Sequence, residues 1–250
     1  MVTGRAFVTG GAGGIGFAIA KHLVELGWTV GVCDRSIEAL RAATGSVPSL
    51  YCANADASDA EQMQVAITGF TDMAGGLDCL VSNVGVSGPT APLQDIEVDA
   101  WKSVMAVNVD SHFLSARATI PFLLKSVNAS MIFMSSAAGR GGFPQRSSYC
   151  TSKWALHGLA KTLSDELSRS GIRSNVILPG VVDNERMRDV VAARAELTGQ
   201  SQEAVWQNVL AITAFNEPVP MQEIAHAAAF LASPQARFIT GQLIGIGENF

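Results

Sequence analysis

Short apolar runs alternate with longer stretches of helical periodicity along most of the chain. The first run, Arg5-Ala6-Phe7-Val8, precedes apolar residues at helical spacing between Phe17 and Leu26, and a second run spans Thr29 to Cys33. Such alternation predicts an α/β fold built from right-handed βαβ units around a parallel sheet. Further strands are predicted at residues 49–53, 77–82, 131–135, 173–178 and 243–246, and helices at 60–73, 100–124, 148–170 and 222–231.

One stretch departs from this alternation. Residues 184–217, between the sixth strand and the last helix, carry Met187, Val190, Val191 and Ala195 at helical spacing. This position predicts a lid that covers a bound substrate, with a purely structural helical insertion as the alternative. Elsewhere no repeat, low-complexity tract or linker interrupts the pattern, so residues 1–250 are expected to fold as one domain.

A glycine-rich turn joins the first strand to the first helix and reads Thr9-Gly10-Gly11-Ala12-Gly13-Gly14-Ile15-Gly16. Glycines there allow a ligand to approach the backbone closely, and the free amides of the helix N-terminus attract phosphate groups. Asp34 ends the second strand, eighteen residues after Gly16, where a carboxylate can accept hydrogen bonds from ribose hydroxyls. The alternative for the glycine-rich turn is a loop with no ligand, and the alternative for Asp34 is a turn residue that simply ends the strand.

Tyr149 and Lys153 lie four residues apart, and Ser136 lies thirteen residues before Tyr149. A phenol has an unperturbed pKa of about 10 and is a poor acid-base catalyst at neutral pH. A lysine one helical turn away can stabilise the phenolate. A half-buried aromatic residue beside a solvated cation is the common form of such a pair, so the pair gains meaning only from the glycine turn and Asp34.

With these motifs together, the sequence resembles the short-chain dehydrogenase/reductase family in its single-domain form, along nearly the whole chain. The resemblance implies a Rossmann-type, doubly wound, seven-stranded parallel sheet with helices on both faces. The positions that match the family's motifs are Thr9, Gly10, Gly14 and Gly16 in the glycine turn, Asp56 after the third strand, Asn83 and Gly85 after the fourth, Asn108, Ser136, Tyr149, Lys153, and Pro179-Gly180.

The family implies hydride transfer between a nicotinamide cofactor and a secondary alcohol or ketone. Ser136 is expected to fix the substrate oxygen, Tyr149 to transfer the proton, and Lys153 to lower the pKa of the tyrosine and hold the nicotinamide ribose. Asn108 is expected to position a water that relays the proton to solvent. The residues expected to bind the cofactor are Gly10, Gly13, Gly14, Ile15, Gly16, Asp34, Arg35, Asp56, Ala57, Asn83, Gly85, Tyr149, Lys153, Pro179, Gly180, Val182 and Asn184. Ser136 and Tyr149 are expected to bind the substrate, and the positions of Arg146 and Arg186 make them further candidates for it.

Two segments depart from the family pattern. The threonine that often follows Pro-Gly and holds the nicotinamide carboxamide is absent from Val181-Val182-Asp183-Asn184, where Asn184 could do a similar job. The usual Val-Asp-Gly-Gly ending is replaced by Ile244-Gly245-Ile246-Gly247-Glu248-Asn249-Phe250, which is expected to alter subunit contacts near the substrate pocket.

The residues around Asp34 favour NAD(H) over NADP(H) as the cofactor. Its carboxylate would repel a 2′-phosphate, and Gly11-Ala12-Gly13 offers no basic side chain to receive one. Arg35 points the other way, because a basic residue just after the second strand can bind that phosphate.

The composition limits the partners. A net charge of −5 argues against nucleic acid, and no apolar run reaches membrane-spanning length or forms a secretory leader. Four cysteines, Cys33, Cys52, Cys79 and Cys150, lack metal-site spacing and are expected as free thiols in a reducing cytoplasm. No metal site is expected, and the four histidines are interpreted as structural or solvated.

Other interpretations remain open at this stage. A non-catalytic dinucleotide-binding sensor or scaffold has no use for Ser136, Tyr149 and Lys153 together. A lyase or epimerase on the same fold is a second alternative, although the C-terminal region is too short for the extra domain of sugar-nucleotide epimerases. Arg146, Arg186 and Arg188 could receive a polar or anionic substrate group or could simply be solvated.

The two long helices predict an oligomer. Apolar residues at 100–124 and 148–170, among them Phe113 and Trp154, exceed what one core-facing stripe requires. Because a monomer rarely exposes so large an apolar patch, and because family members bury such faces about two-fold axes, a homotetramer is expected.

Overall fold

The computed structural model describes residues 3–248. Across these residues seven parallel strands form one sheet in the order β3-β2-β1-β4-β5-β6-β7, which confirms the predicted fold class. The strands are β1 Arg5–Thr9, β2 Thr29–Asp34, β3 Tyr51–Asn54, β4 Cys79–Ser82, β5 Ser130–Met134, β6 Arg173–Pro179 and β7 Leu243–Ile246. Each coincides with a predicted strand to within two residues at either end.

Helices connect the strands and cover both faces of the sheet. They are α1 Gly14–Glu25, α2 Ile37–Ser46, α3 Ala60–Ala74, α4 Val98–Met105, α5 Ser111–Leu123, α6 Ser147–Leu167, α7 Glu185–Thr198, α8 Gln202–Leu210 and α9 Met221–Ala232. The sequence pattern missed α2, because only Leu40 and Ala43 of this helix are buried and its apolar stripe is correspondingly thin. Ser36 begins α2 by accepting a hydrogen bond from the amide of Ala39.

The helix predicted at 100–124 is instead three consecutive pieces. Between α4 and α5, residues Ala106–Asp110 form a π-helical segment. Such segments place an extra residue in the turn and often occur at functional sites. Apolar periodicity does not reveal this change of hydrogen bonding, so the prediction of one uninterrupted α-helix was wrong here.

The sheet is buried on both faces, as parallel sheets are. In β1, Ala6 and Val8 pack on the side covered by α1 and α9, whereas Phe7 packs on the side covered by α3, α5 and α6. All three side chains are fully buried. The continuous apolar runs of the sequence follow from this double burial.

The carboxyl ends of the central strands meet where the strand order reverses, between β1 and β4. There Asn83 bridges the two strands, with its backbone amide 3.0 Å from the Thr9 hydroxyl and its side-chain amide 3.1 Å from the carbonyls of Thr9 and Gly10. Open α/β sheets bind their ligands in the crevice outside this edge.

The segment predicted as a lid forms α7 and α8, which pack on each other. Val191, Ala195, Val205 and Val209 belong to their shared cluster of buried residues, separate from the two clusters beside the sheet. The amide of Ala214 at the end of this segment donates to the carbonyl of Gly247. Asn249 and Phe250 lie outside the described residues, so the effect of that ending on subunit contacts stays a prediction.

Candidate active site

The glycine turn between β1 and α1 leaves an open cradle at the helix N-terminus. Gly13 precedes α1 without a side-chain cap, and the first turn of the helix carries no acidic residue. A Cβ atom on Gly13 or Gly14 would meet nothing within 4 Å, and Gly14 has a φ of +52°. The free amides of this turn therefore face open space, and the cradle fits the diphosphate of a dinucleotide.

Gly16, in the same turn, is required for close packing and not for an open cradle. A Cβ atom there would lie 2.2 Å from the carbonyl oxygen of Gly10 and 2.6 Å from Nδ2 of Asn83. Gly16 therefore allows α1 to pack closely against the strand ends and does not itself line the cleft.

Acidic and basic side chains share the outer end of the cleft, a cavity of about 510 Å³ lined by Asp34, Arg35, Asp56 and Ala57. The carboxylate of Asp34 accepts one hydrogen bond, from the amide of Ser36 at 3.1 Å. Hydrogen bonds from Ser58, with a smaller contribution from the charge of Arg35, hold the pKa of Asp56 below its usual value. Two carboxylates and one guanidinium thus line the outer end of a cleft of nucleotide size.

The inner end of the cleft is a second cavity of about 420 Å³, and Ser136, Tyr149 and Lys153 all line it. Ser136 follows β5, and its hydroxyl accepts from the amide of Ala138 at 3.2 Å. Among residues 3–248 the hydroxyl of Tyr149 forms no hydrogen bond. The three side chains expected from their spacing are therefore brought together, with the phenol free to meet a ligand.

Lys153 is buried behind Tyr149. Its Nζ atom donates to the carbonyl of Met134 at 2.8 Å. Burial, with a further contribution from the charge of Arg186, lowers the pKa of Lys153 from 10.5 to about 7. A cation placed here is poorly solvated and is therefore available to stabilise negative charge on a neighbouring group.

Asn108 lies in the π-helical segment and is fully buried, so it does not line either cavity. Its Oδ1 accepts from the amide of Val86 at 2.7 Å, and its Nδ2 donates to the carbonyl of Val86 and to the hydroxyl of Ser152. The side chain thereby ties the loop after β4 to helix α6. With these groups occupied, the expected water relay through Asn108 stays a prediction.

The segment predicted as a lid contributes two residues at the junction of the two cavities. Arg186 donates to the carbonyl of Gly85 at 2.9 Å, and both it and Asn184 line each cavity. Oδ1 of Asn184 accepts from the amide of Met187 and caps α7, which leaves its NH₂ group available. The beginning of the segment predicted as a lid therefore lines both ends of the cleft.

Sequence reasoning did not single out several side chains that support the site. His112, one helical turn after Asn108, is fully buried, donates from Nε2 to the carbonyl of Val84, and has its pKa lowered to about 3 by burial and by Lys153. Ser135 donates to the carbonyl of Lys153 and lies 3.1 Å from Nε2 of His157. Only the helical spacing of these histidines from Asn108 and Lys153 could have indicated their places.

Arg146 was expected at the substrate, and it packs on the ring of Tyr149. Its guanidinium carbon lies 4.8 Å from the centroid of the Tyr149 ring, and its Nη1 donates to the hydroxyl of Thr90 at 3.2 Å. Arg188, by contrast, pairs with Asp183 on the outer surface and lines neither cavity.

Asn108 and Gly16 are buried behind the cleft. The cleft is lined by every other residue that was expected from the sequence to act in catalysis or to bind the cofactor or the substrate. A wider groove of about 980 Å³ lies at the opposite edge of the sheet, around Arg5, Asp78 and Phe238, away from these residues.

Across residues 3–248, no group of three or more ligating side chains could hold a metal ion. Nor does this part of the chain contain a helix both long and apolar enough to cross a membrane.

Comparison with known proteins agrees with this geometry. A diacetyl reductase, (S)-acetoin forming, of Staphylococcus aureus is 32% identical over 244 residues, which cover 96% of this chain and 94% of that protein. A 3-oxoacyl-[acyl-carrier-protein] reductase of Rickettsia conorii is 32% identical over 247 residues, 98% of this chain and 96% of the relative.

Solved structures of similar fold cover the chain equally well. NAD⁺-bound xylitol dehydrogenase has a TM-score of 0.94 at 27% identity and covers 98% of both chains. A variant of actinorhodin polyketide ketoreductase with NADPH has a TM-score of 0.93 at 25% identity, covering 98% of this chain and 96% of that one. The family model described as short chain dehydrogenase matches residues 5–195. The chain therefore belongs to the short chain dehydrogenase family of oxidoreductases.

Proposed function

We propose that this protein transfers a hydride between NAD(H) and a secondary alcohol or ketone, using Ser136, Tyr149, Lys153 and Asn108. The observation that carries the proposal is that Ser136, Tyr149 and Lys153 line one cavity, which continues from the glycine cradle. Relatives named as a diacetyl reductase and a xylitol dehydrogenase support an alcohol or ketone as the substrate.

In this proposal a bound nicotinamide accepts or donates the hydride, and the side chains of this chain handle the proton. Ser136 holds the substrate oxygen beside Tyr149, whose free phenol takes the hydroxyl proton during oxidation and returns it during reduction. Lys153, buried and one helical turn away, stabilises the phenolate between these steps. Asn108 keeps the loop after β4 in register with α6, so that Tyr149 and Lys153 face the cofactor side.

The preference for NAD(H) rests on Asp34. Its carboxylate lines the outer cavity with one protein donor, so it retains lone pairs for ribose hydroxyls. A 2′-phosphate at this point would face two carboxylates, those of Asp34 and Asp56. Arg35 lines the same cavity, and its charge makes a small contribution to the lowered pKa of Asp56. One solved structure of similar fold is named with NAD⁺ and another with NADPH, so the proposed preference for NAD(H) rests on these local charges.

Helices α7 and α8 serve, in this proposal, as the lid of a single domain. Their inner faces complete the cavity that contains Tyr149, and Asn184 and Arg186 cross to the cofactor side. Asn184 takes the place of the family's threonine with its free NH₂ group, while Arg146 and Arg186 contact the substrate.

The experiment that tests the function mixes purified protein with NAD⁺ or NADP⁺ and a panel of secondary alcohols, and with reduced cofactor and matching ketones. Absorbance of the reduced nicotinamide reports turnover, and calorimetry reports cofactor binding. Turnover supports the proposal. Binding with no turnover of any compound would favour the sensor or scaffold, and loss or inversion of a substrate without net change of cofactor would favour a lyase or epimerase.

A further inference from the structure

The cavity around Tyr149 carries positive charge only. Four basic side chains line it, those of Arg146, Lys153, Arg186 and Arg194, and no carboxylate of residues 3–248 does. The whole chain has a net charge of −5. The charge of this cavity is thus opposite in sign to that of the protein, and a local requirement must account for it.

Arg146 bears a charge that the protein does not neutralise. The guanidinium lies on the face of the Tyr149 ring and donates to a neutral hydroxyl, that of Thr90. Within the described part of the chain it makes no ion pair. A partly buried cation without an anion is costly, since each charge removed from water needs a partner.

Arg194 stands where the lid pattern calls for an apolar residue. Met187, Val190, Val191 and Arg194 share one face of α7, and all four line the cavity. Arg194 is partly buried, and its guanidinium has neither an ion pair nor a hydrogen bond among residues 3–248. A cation at the end of an apolar row, facing a cavity, is poorly explained by packing alone.

Two arginines that do not line the cavity, Arg188 and Arg140, are paired with carboxylates. Arg188 binds both oxygens of Asp183, and Arg140 binds Glu248 at 2.5 Å and also donates to the carbonyl of Leu243. Carboxylates of this chain therefore neutralise Arg188 and Arg140, whereas none of the described residues forms an ion pair with Arg146 or Arg194, which line the cavity.

We propose that the substrate carries an oxyanion, a carboxylate or a phosphate, that Arg146 and Arg194 bind. The inference rests on the proposed oxidoreductase function and narrows its substrate class. Guanidinium groups suit both anions because their planar donors match two oxygens at once. The apolar residues of α7 and α8 then cover the uncharged part of the same molecule.

Matched ketone pairs test the inference. Levulinate and its methyl ester form the carboxylate arm, and dihydroxyacetone phosphate and dihydroxyacetone form the phosphate arm. For at least one pair, kcat/KM should be at least about tenfold higher for the acid, as a charged hydrogen bond implies. Arg146→Met and Arg194→Met should each lower the ratio of acid to neutral partner by about tenfold. Arg188→Met, which changes a paired surface residue, should leave the ratio unchanged.

Calorimetry with the same four compounds and the NADH complex separates this inference from the function on which it rests. If an acid binds more tightly than its neutral partner, and if Arg146→Met and Arg194→Met each abolish this difference, the oxyanion site is supported. This holds even if no compound is turned over, because absent turnover counts against the proposed reaction and not against the binding site. Equal binding and equal turnover of acid and neutral partner overturn the inference, as does an acid preference that survives in both variants.

Discussion

The Nζ atom of Lys153 lies 5.9 Å from the centroid of the Tyr149 ring, and Lys153 is only 3% exposed. Burial and the charge of Arg186 lower its pKa to about 7. The cofactor-free protein therefore keeps a partly neutral lysine beside its proposed acid-base group, ready to be recharged when negative charge develops there.

This lysine predicts a pH dependence of stability. Between the folded pKa of about 7 and the ordinary value of 10.5, the unfolded chain binds the lysine proton more tightly than the folded chain does. The contribution of Lys153 to the free energy of unfolding should therefore rise with pH, by up to about 1.4 kcal/mol per pH unit. Urea denaturation of the cofactor-free protein between about pH 7 and pH 8.5 measures this slope.

Lys153→Met isolates the effect from other titrating groups. The slope should be smaller in this variant than in the wild type and unchanged in Lys161→Met, which removes an exposed lysine of the same helix. Parallel curves for all three proteins would show that Lys153 does not have a lowered pKa in the folded state.

A second prediction concerns the cofactor. Asp34→Ala should lower kcat/KM with NAD(H) by about tenfold or more, because a charged hydrogen-bond acceptor is lost, and should raise it with NADP(H). In the double variant with Arg35→Ala the gain with NADP(H) should disappear. A wild type that already prefers NADP(H) would mean that Arg35 outweighs Asp34.

The ion pair between Arg140 and Glu248 joins the loop after Ser136 to the end of the chain. Burial raises the pKa of Glu248 against the opposing effect of Arg140, and its side chain is almost inaccessible. Glu248→Ala should lower the free energy of unfolding by about 1–3 kcal/mol, since it removes the acceptor of the Arg140 guanidinium. Glu217→Ala, at an exposed position, is the control, and equal denaturation midpoints for the two variants would argue against a structural role of the pair.

The predicted homotetramer concerns the outer faces of α5 and α6. Phe113 and Trp154 are 49% and 51% exposed there in the single chain. Large apolar side chains with this exposure are expected on a face that a second subunit buries. Light scattering should give four times the chain mass, and Trp154→Glu should reduce it. A wild-type mass near 26.2 kDa at micromolar concentration would exclude the tetramer, and a dimer would mean that the altered ending has lost one contact.

The strands and the catalytic spacing were readable from the sequence because double burial and helical periodicity both leave regular patterns. Tyr149 and Lys153 meet because one helical turn separates them, and Asp34 reaches the cleft because it ends a strand. The π-helical segment around Asn108 could not be predicted, since it depends on which carbonyl each amide finds and leaves no apolar signature.

Charge compensation was equally invisible in the sequence. Arg188 and Arg194 are six residues apart on one helix, yet one is paired on the surface and the other faces the cavity. Helical spacing places Arg194 on the face of Met187 and Val191, but the packing of α7 in the fold decides that this face lines the cavity. Helix α2 was not predicted because its apolar stripe, with only Leu40 and Ala43 buried, is too thin to be recognised in the sequence.

The most direct test of the proposed mechanism is kcat/KM of Tyr149→Phe beside the wild type, on the same substrate pair and with the dissociation constant of the cofactor measured in parallel. The variant keeps the ring against Arg146 and Lys153 but loses the group that moves the proton. Activity should fall by roughly 10²–10⁴, with cofactor affinity nearly unchanged. Near-normal turnover in this variant would contradict the assignment of Tyr149 as the acid-base catalyst.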